Sequence, residues 1–180
     1  MIFTQLLLAG AYKIELEKLN DERGFFARTF CVDEFSRQNL ETNFIQSSVS
    51  YNVKKGTVRG MHWQAEPHGE VKIISCVKGA IFDVLLDLRP DSPTYKQVET
   101  IELSEDNNTM LYIPEGIAHG FQTLRDNTVI QYHMNRKFSP EHAKGLQVSD
   151  PSFSIFFPLP ISMISEKDLN YRLFTEGGNL

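Results

Sequence analysis

The chain predicts an all-β fold, a jelly-roll sandwich or barrel with a few short helices. Three observations carry that expectation. Short runs rich in β-branched residues recur through the middle of the sequence, turn residues separate them at close intervals, and helix signals are scarce.

Residues 33–40 are long enough for a short helix. Residues 71–77 and 80–88 flank Lys78-Gly79, which reads as a hairpin. In the second run Phe82, Val84, Leu86 and Leu88 share one parity and form an apolar face, while Asp83 and Asp87 fall on the other. Further strands are expected over 97–103, 109–113 and 128–134. Turns are expected at Arg89-Pro90-Asp91-Ser92-Pro93, Glu105-Asp106-Asn107-Asn108 and Arg125-Asp126-Asn127. Ser165-Glu166-Lys167-Asp168 looks like the capped start of a short helix or turn. The residues from Thr175 on, with Gly177-Gly178, are expected to be mobile. No repeat or linker divides residues 1–180, so a single domain is expected.

A net charge of −5 over 180 residues argues against nucleic acid as the main partner. Two cysteines are too few for a disulfide framework, and Cys76, inside an apolar run, reads as a small core residue. The apolar start of the chain has no basic residue before it and is interrupted by Thr4 and Gln5, unlike a signal sequence. No run approaches the 18 or so apolar residues of a membrane span. The chain reads as cytoplasmic.

Ionisable groups stand where a barrel interior wants apolar ones. Tyr132 shares a face with Ile130 and Met134, so its ring is expected to point inward. Lys72 shares parity with Ile74 and Cys76. It either meets a polar partner inside or snorkels from a strand end to water. His62 alone reads equally as a hydrogen-bonded structural histidine, but Gly60 beside it allows close backbone approach and Arg59 suits a diphosphate. His119 follows a Pro-x-Gly-x-x-His turn, which fixes its direction. His68, His133 and His142 carry no supporting pattern.

Such a set can move a proton at a carbon beside a ketone. A neutral imidazole serves as base, a cation or donor steadies the enolate oxygen, and an acid returns the proton from the other face. Tyr132 fits the acid, and Lys72 or His119 the steadying group. The base also needs a carboxylate to hold its tautomer, for which Asp168 is a candidate. The rival is a metal. Jelly rolls of the cupin type bind one through His-x-His, a later Glu and the His of Pro-x-Gly-x-x-His. Here Gln64 stands in place of the second histidine, and glutamine is a poor ligand for such ions. No metal is expected.

A longer pattern runs through Asp21-Glu22-Arg23-Gly24-Phe25-Phe26, Phe44-Ile45-Gln46 and Lys55-Gly56-Thr57-Val58-Arg59-Gly60-Met61-His62-Trp63-Gln64. It continues through Val71-Lys72, Phe82-Asp83-Val84, Asp87-Leu88-Arg89 and Ile113-Pro114-Glu115-Gly116-Ile117-Ala118-His119-Gly120-Phe121. It ends with Tyr132, Ser139-Pro140-Glu141, Asp150-Pro151 and Ser165-Glu166-Lys167-Asp168. With these residues, roughly 20 to 170, the chain resembles the dTDP-4-dehydrorhamnose 3,5-epimerase family of the cupin superfamily.

The resemblance implies a cupin-type jelly roll and a homodimeric, cofactor-free isomerase acting on a nucleotide-linked 4-keto-6-deoxyhexose. It implies that His62, paired with Asp168, is the base, that Lys72 stabilises the enolate and that Tyr132 is the acid. Arg23, Gln46, Arg59, His119 and Lys167 would hold the sugar and diphosphate, with Ser48 also on the substrate side. Phe26 and Phe138 would flank the nucleotide base. Four positions depart from the family pattern. Arg28 and Ala143 replace glutamates, Phe138 a tyrosine and Ser48 an asparagine. The readings carried forward are a 3,5-epimerase of a dTDP-linked sugar, a single-site epimerase or one taking a CDP- or GDP-linked sugar, and a non-catalytic binding cupin.

Overall fold

The computed structural model describes residues 1–175, so the tail expected to be mobile lies, apart from Thr175, outside the described residues. Strands β1 (Ile2–Gln5) and β2 (Tyr12–Glu15) open the chain. A small hairpin follows, β3 (Leu19–Asp21) with β4 (Gly24–Phe26), and then helix α1 (Val32–Arg37). Next come β5 (Gln46–Asn52), β6 (Val58–Gln64), β7 (Lys72–Lys78) and β8 (Ala80–Asp87). They are followed by β9 (Val98–Ser104), β10 (Met110–Ile113), β11 (Ile117–Thr123) and β12 (Thr128–Met134). Strand β13 (Ala143–Gly145) and helix α2 (Glu166–Leu169) complete the set.

The strands form two facing antiparallel sheets, the expected jelly-roll sandwich. One is ordered β1-β2-β10-β7-β12-β5, the other β13-β6-β11-β8-β9. Between them Ile74, Cys76, Leu111, Ile113 and Ile130 meet Ile81, Leu85, Leu103, Ile117 and Phe121. Burying each such side chain contributes about 1.5–3 kcal/mol before entropy is counted. Cys76 lies in this core, and burial pushes its thiol up to about 11. Along β7 and β12 the inward positions change character. Ile74, Cys76 and Ile130 belong to the core, whereas Lys72, Tyr132 and Met134, on the same parity, line a cavity at one end of the sandwich.

Both outer faces are covered in part. Phe35 of α1 packs with Ile14, Val71, Ile73, Met110 and Tyr112 on the first sheet. Leu146, Phe153 and Phe174 of the C-terminal chain cover Met61, Trp63, Val84, Leu86 and Leu88 on the second. The apolar parity of β8 therefore looks outward onto this cover. Asp83 and Asp87, on the opposite parity, are completely buried.

The predicted strands are present to within a residue or so. Helix α1 stops at Arg37 rather than continuing to Leu40, because Asn39 turns left-handed at φ 57°. His119, expected on a turn, lies within β11. The turn ends earlier, at Gly116 with φ 78°. The N-terminal amine is held by Glu17 and, at 2.6 Å, by Glu34. Among the described residues no helix is long and apolar enough to cross a membrane.

Candidate active site

A bulge builds the first wall. On β6 and β11, His62 stands opposite His119, but Arg59 stands opposite Phe121, so β6 carries one residue more than its partner over this stretch. The irregularity falls at Gly60, which has φ 116° and approaches so closely that a Cβ would lie 2.5 Å from Gly120 Cα. It breaks strict alternation, and both Arg59 and His62 line the same cavity of about 380 Å³.

His62 projects from the five-stranded sheet, and Tyr132 and Lys72 from the six-stranded sheet facing it. Asp168 is brought to His62 by α2, whose N-cap Ser165 accepts the Asp168 backbone N–H at 3.0 Å. Its Oδ1 accepts from His62 Nε2 at 2.7 Å, and Oδ2 takes the Gly60 N–H at 3.3 Å. Burial works to raise the Asp168 carboxyl, but these hydrogen bonds outweigh it and hold the group below its ordinary range. With Nε2–H committed to Asp168, Nδ1 keeps the lone pair that can take a proton. The His62 side chain is 41% exposed, open to an incoming molecule.

Tyr132 packs against the inter-sheet core with its ring 6.3 Å from that of His119. Burial, aided by the charge of Asp83, raises its phenol well above the usual range, so it is a standing O–H donor. Lys72 does not snorkel to water. Its Nζ lies 3.0 Å from Glu70, and both side chains are largely withdrawn from solvent. His119 Nε2 reaches Asp83 Oδ2 at 2.9 Å. Arg59 is aimed by Asn52, whose Oδ1 accepts from its Nε at 2.7 Å. Gln46 Oε1 accepts the Phe138 N–H at 3.2 Å, and Gln46, Ser48 and Phe138 complete the lining.

A second hollow of about 230 Å³ adjoins the first through His62, Glu70, Lys72 and Phe138, and adds Lys144, Lys167 and Tyr171. Tyr171 lies edge-on to the His62 ring at 5.8 Å.

Arg23 and Phe26 line neither hollow. They belong to the β3–β4 hairpin, which joins neither large sheet. The Arg23 side chain is 84% exposed and paired with Asp21, and Phe26 is 73% exposed. Arg28 pairs with Glu34 at 2.8 Å. Ala143 lies in β13, opposite Gln64 of β6.

Sequence reasoning missed roles for Glu70, Asp83, Asn52 and Tyr171. Asp83 was readable only as the polar parity of β8, since its partner is 36 residues away. Among the described residues no group of three or more His, Cys, Asp and Glu side chains is arranged to hold a metal. Gln64, at the position of a second histidine, is spent on hydrogen bonds to neighbouring loops.

The chain matches a family model described as dTDP-4-dehydrorhamnose 3,5-epimerase over residues 5–176. It is 39% identical over 169 residues to the dTDP-4-dehydrorhamnose 3,5-epimerase of Sinorhizobium fredii, covering 93% of this chain and 87% of that one. It is 33% identical over 170 residues to a dTDP-4-dehydrorhamnose 3-epimerase of Streptomyces niveus, covering 94% and 82%. Its fold is similar to the crystal structure of dTDP-4-dehydrorhamnose 3,5-epimerase from Bacillus anthracis with TDP and PPi bound. The TM-score is 0.93 at 35% identity, over 96% of this chain and 99% of the other.

Proposed function

Because the chain belongs to the dTDP-4-dehydrorhamnose 3,5-epimerase family, we propose that it inverts C3 and C5 of a dTDP-linked 4-keto-6-deoxyhexose through enolates. One observation carries this reading. An imidazole oriented by a carboxylate and a protonated phenol stand on opposite sheets and line one cavity.

The chemistry follows from the placement. His62 Nδ1 takes the proton from the carbon beside the ketone, and Asp168 steadies the imidazolium that forms. Charge develops on the keto oxygen, where the Lys72 ammonium offers donors. Tyr132 then gives its proton to the opposite face of the same carbon, which inverts it. Arg59, Gln46, Ser48 and Lys167 hold the sugar and diphosphate, and Phe138 stacks on the nucleotide base.

Arg23 and Phe26 serve the same substrate from the hairpin of a second copy in a homodimer. Support for this comes from their exposure on an arm that reaches neither hollow of its own chain. The enzyme acts in the cytoplasm and needs no cofactor.

Inversion at a single carbon is the second reading, favoured by the likeness to the 3-epimerase of Streptomyces niveus. Incubation with dTDP-4-keto-6-deoxyglucose in deuterated water separates the two. Deuterium at C3 and C5, by proton NMR and mass, is the expected result, and deuterium at one carbon supports the second reading. No exchange with this or a CDP- or GDP-linked analogue would overturn both. Tyr132→Phe is expected to take up deuterium while releasing little inverted product.

A further inference from the structure

Two side chains beside the reacting groups take no part in these proton transfers. Glu70 lines both hollows, and its carboxylate oxygens are divided between two partners. Oε1 lies 3.0 Å from Lys72 Nζ, while Oε2 accepts from Gln64 Nε2 at 3.3 Å. Gln64 is 3% exposed. Its Nε2 also faces the carbonyls of His68 at 3.1 Å and Lys137 at 3.4 Å, and its Oε1 accepts the Ser139 N–H at 2.5 Å. One amide thus joins β6, the β6–β7 loop and the segment that carries Phe138.

We propose that Gln64 and Glu70 are positioning residues that keep the Lys72 ammonium aimed into the cavity, and tie that aim to the Phe138 segment. Withdrawing an ammonium from water is costly unless an anion accompanies it. Glu70 is that anion, at 3.0 Å. It occupies one of the three hydrogens an ammonium offers and leaves the others for a keto oxygen. Gln64 in turn fixes the carboxylate, so Lys72 is placed through a chain of contacts that begins beside Phe138. Binding at the nucleotide end is then expressed as alignment at the reacting end.

The catalytic half of this inference rests on the proposed function, so the test has two arms. In the first, the full chain is briefly exposed to an amine-acylating reagent at mildly alkaline pH and Lys72 is read by peptide mass spectrometry. Glu70→Gln is expected to speed labelling of Lys72 several-fold without altering the other lysines or Tm. An unchanged rate overturns the proposal. In the second, Glu70→Gln is expected to lower kcat by about 10²-fold with little effect on KM, as for a misplaced catalytic group. Gln64→Leu, which also releases the Phe138 segment, lowers kcat and raises KM together. Wild-type kcat in Glu70→Gln overturns the proposal while leaving the epimerase reading intact. A wild-type protein that exchanges no deuterium defeats that reading instead, and the labelling arm still decides the role of Glu70.

Discussion

The described residues hold two histidine–aspartate pairs of nearly the same length, 2.7 Å for His62–Asp168 and 2.9 Å for His119–Asp83. Their surroundings differ completely. Asp168 takes hydrogen bonds on both oxygens, and the His62 ring is 41% exposed. Asp83 has no exposure at all, and its Oδ1 has no hydrogen-bond partner among the described residues. The consequence is opposite electrostatics. Hydrogen bonding holds the Asp168 carboxyl low, whereas burial pushes Asp83 up against the opposing influence of His119 and Lys72. A carboxylate beside an imidazole is therefore not a function in itself. The satisfied, half-open pair suits a base that must accept a proton and return it, and the dry pair holds its ring fixed in the wall of the cavity.

The harshest way to break the comparison is to remove each imidazole in turn. His62→Ala is expected to lower kcat by on the order of 10²–10⁴ while dTDP binding by calorimetry persists. A rate equal to wild type would strip His62 of its role. Asp168→Asn is expected to cost about 10²-fold in kcat, because an amide can present its carbonyl or its NH₂ and no longer fixes one tautomer. Stability offers the gentlest and sharpest contrast.

The Asp168 carboxyl is depressed on folding, so its contribution is present above the unfolded carboxylate range and is lost as pH falls through its folded value. The Asp83 carboxyl is raised, so its contribution is present in acid and is lost as pH rises through its folded value. Melting curves across pH should therefore show Asp83→Asn gaining on wild type as pH rises from about 4, an unperturbed carboxylate value. Asp168→Asn should lose ground over the same rise. Parallel slopes for the two variants would end the distinction.

Much of this was legible in the chain, for reasons that can be named. Alternation and glycine turns marked β7 to β10 and β12, and parity alone turned Tyr132 inward and placed Lys72 beside Ile74. The short strands β1 to β4 left little trace, since three or four residues hold too few periods to register. Parity alone left open which side of β8 faces inward, because nothing local announces that residues 146–174 return to cover its apolar side. Asp168 lies 106 residues from His62, a distance only a family resemblance could bridge before the fold was known. Arg23 and Phe26, assigned to the substrate by that same resemblance, sit on a hairpin away from it. A likeness of motif assigns residues to one site without saying where in the fold each of them stands.

The extra residue in β6 has a further consequence for anyone rebuilding this pocket. Arg59 and His62 are an odd number of positions apart, so a regular strand would turn one of them out of the chamber. Shortening the segment by a single residue would keep every other side chain in the inventory and still evict the guanidinium or the imidazole. A transplant of this chamber into an idealised scaffold must carry the kink along with the functional groups, because here the residue count is as much an ingredient as the residue type.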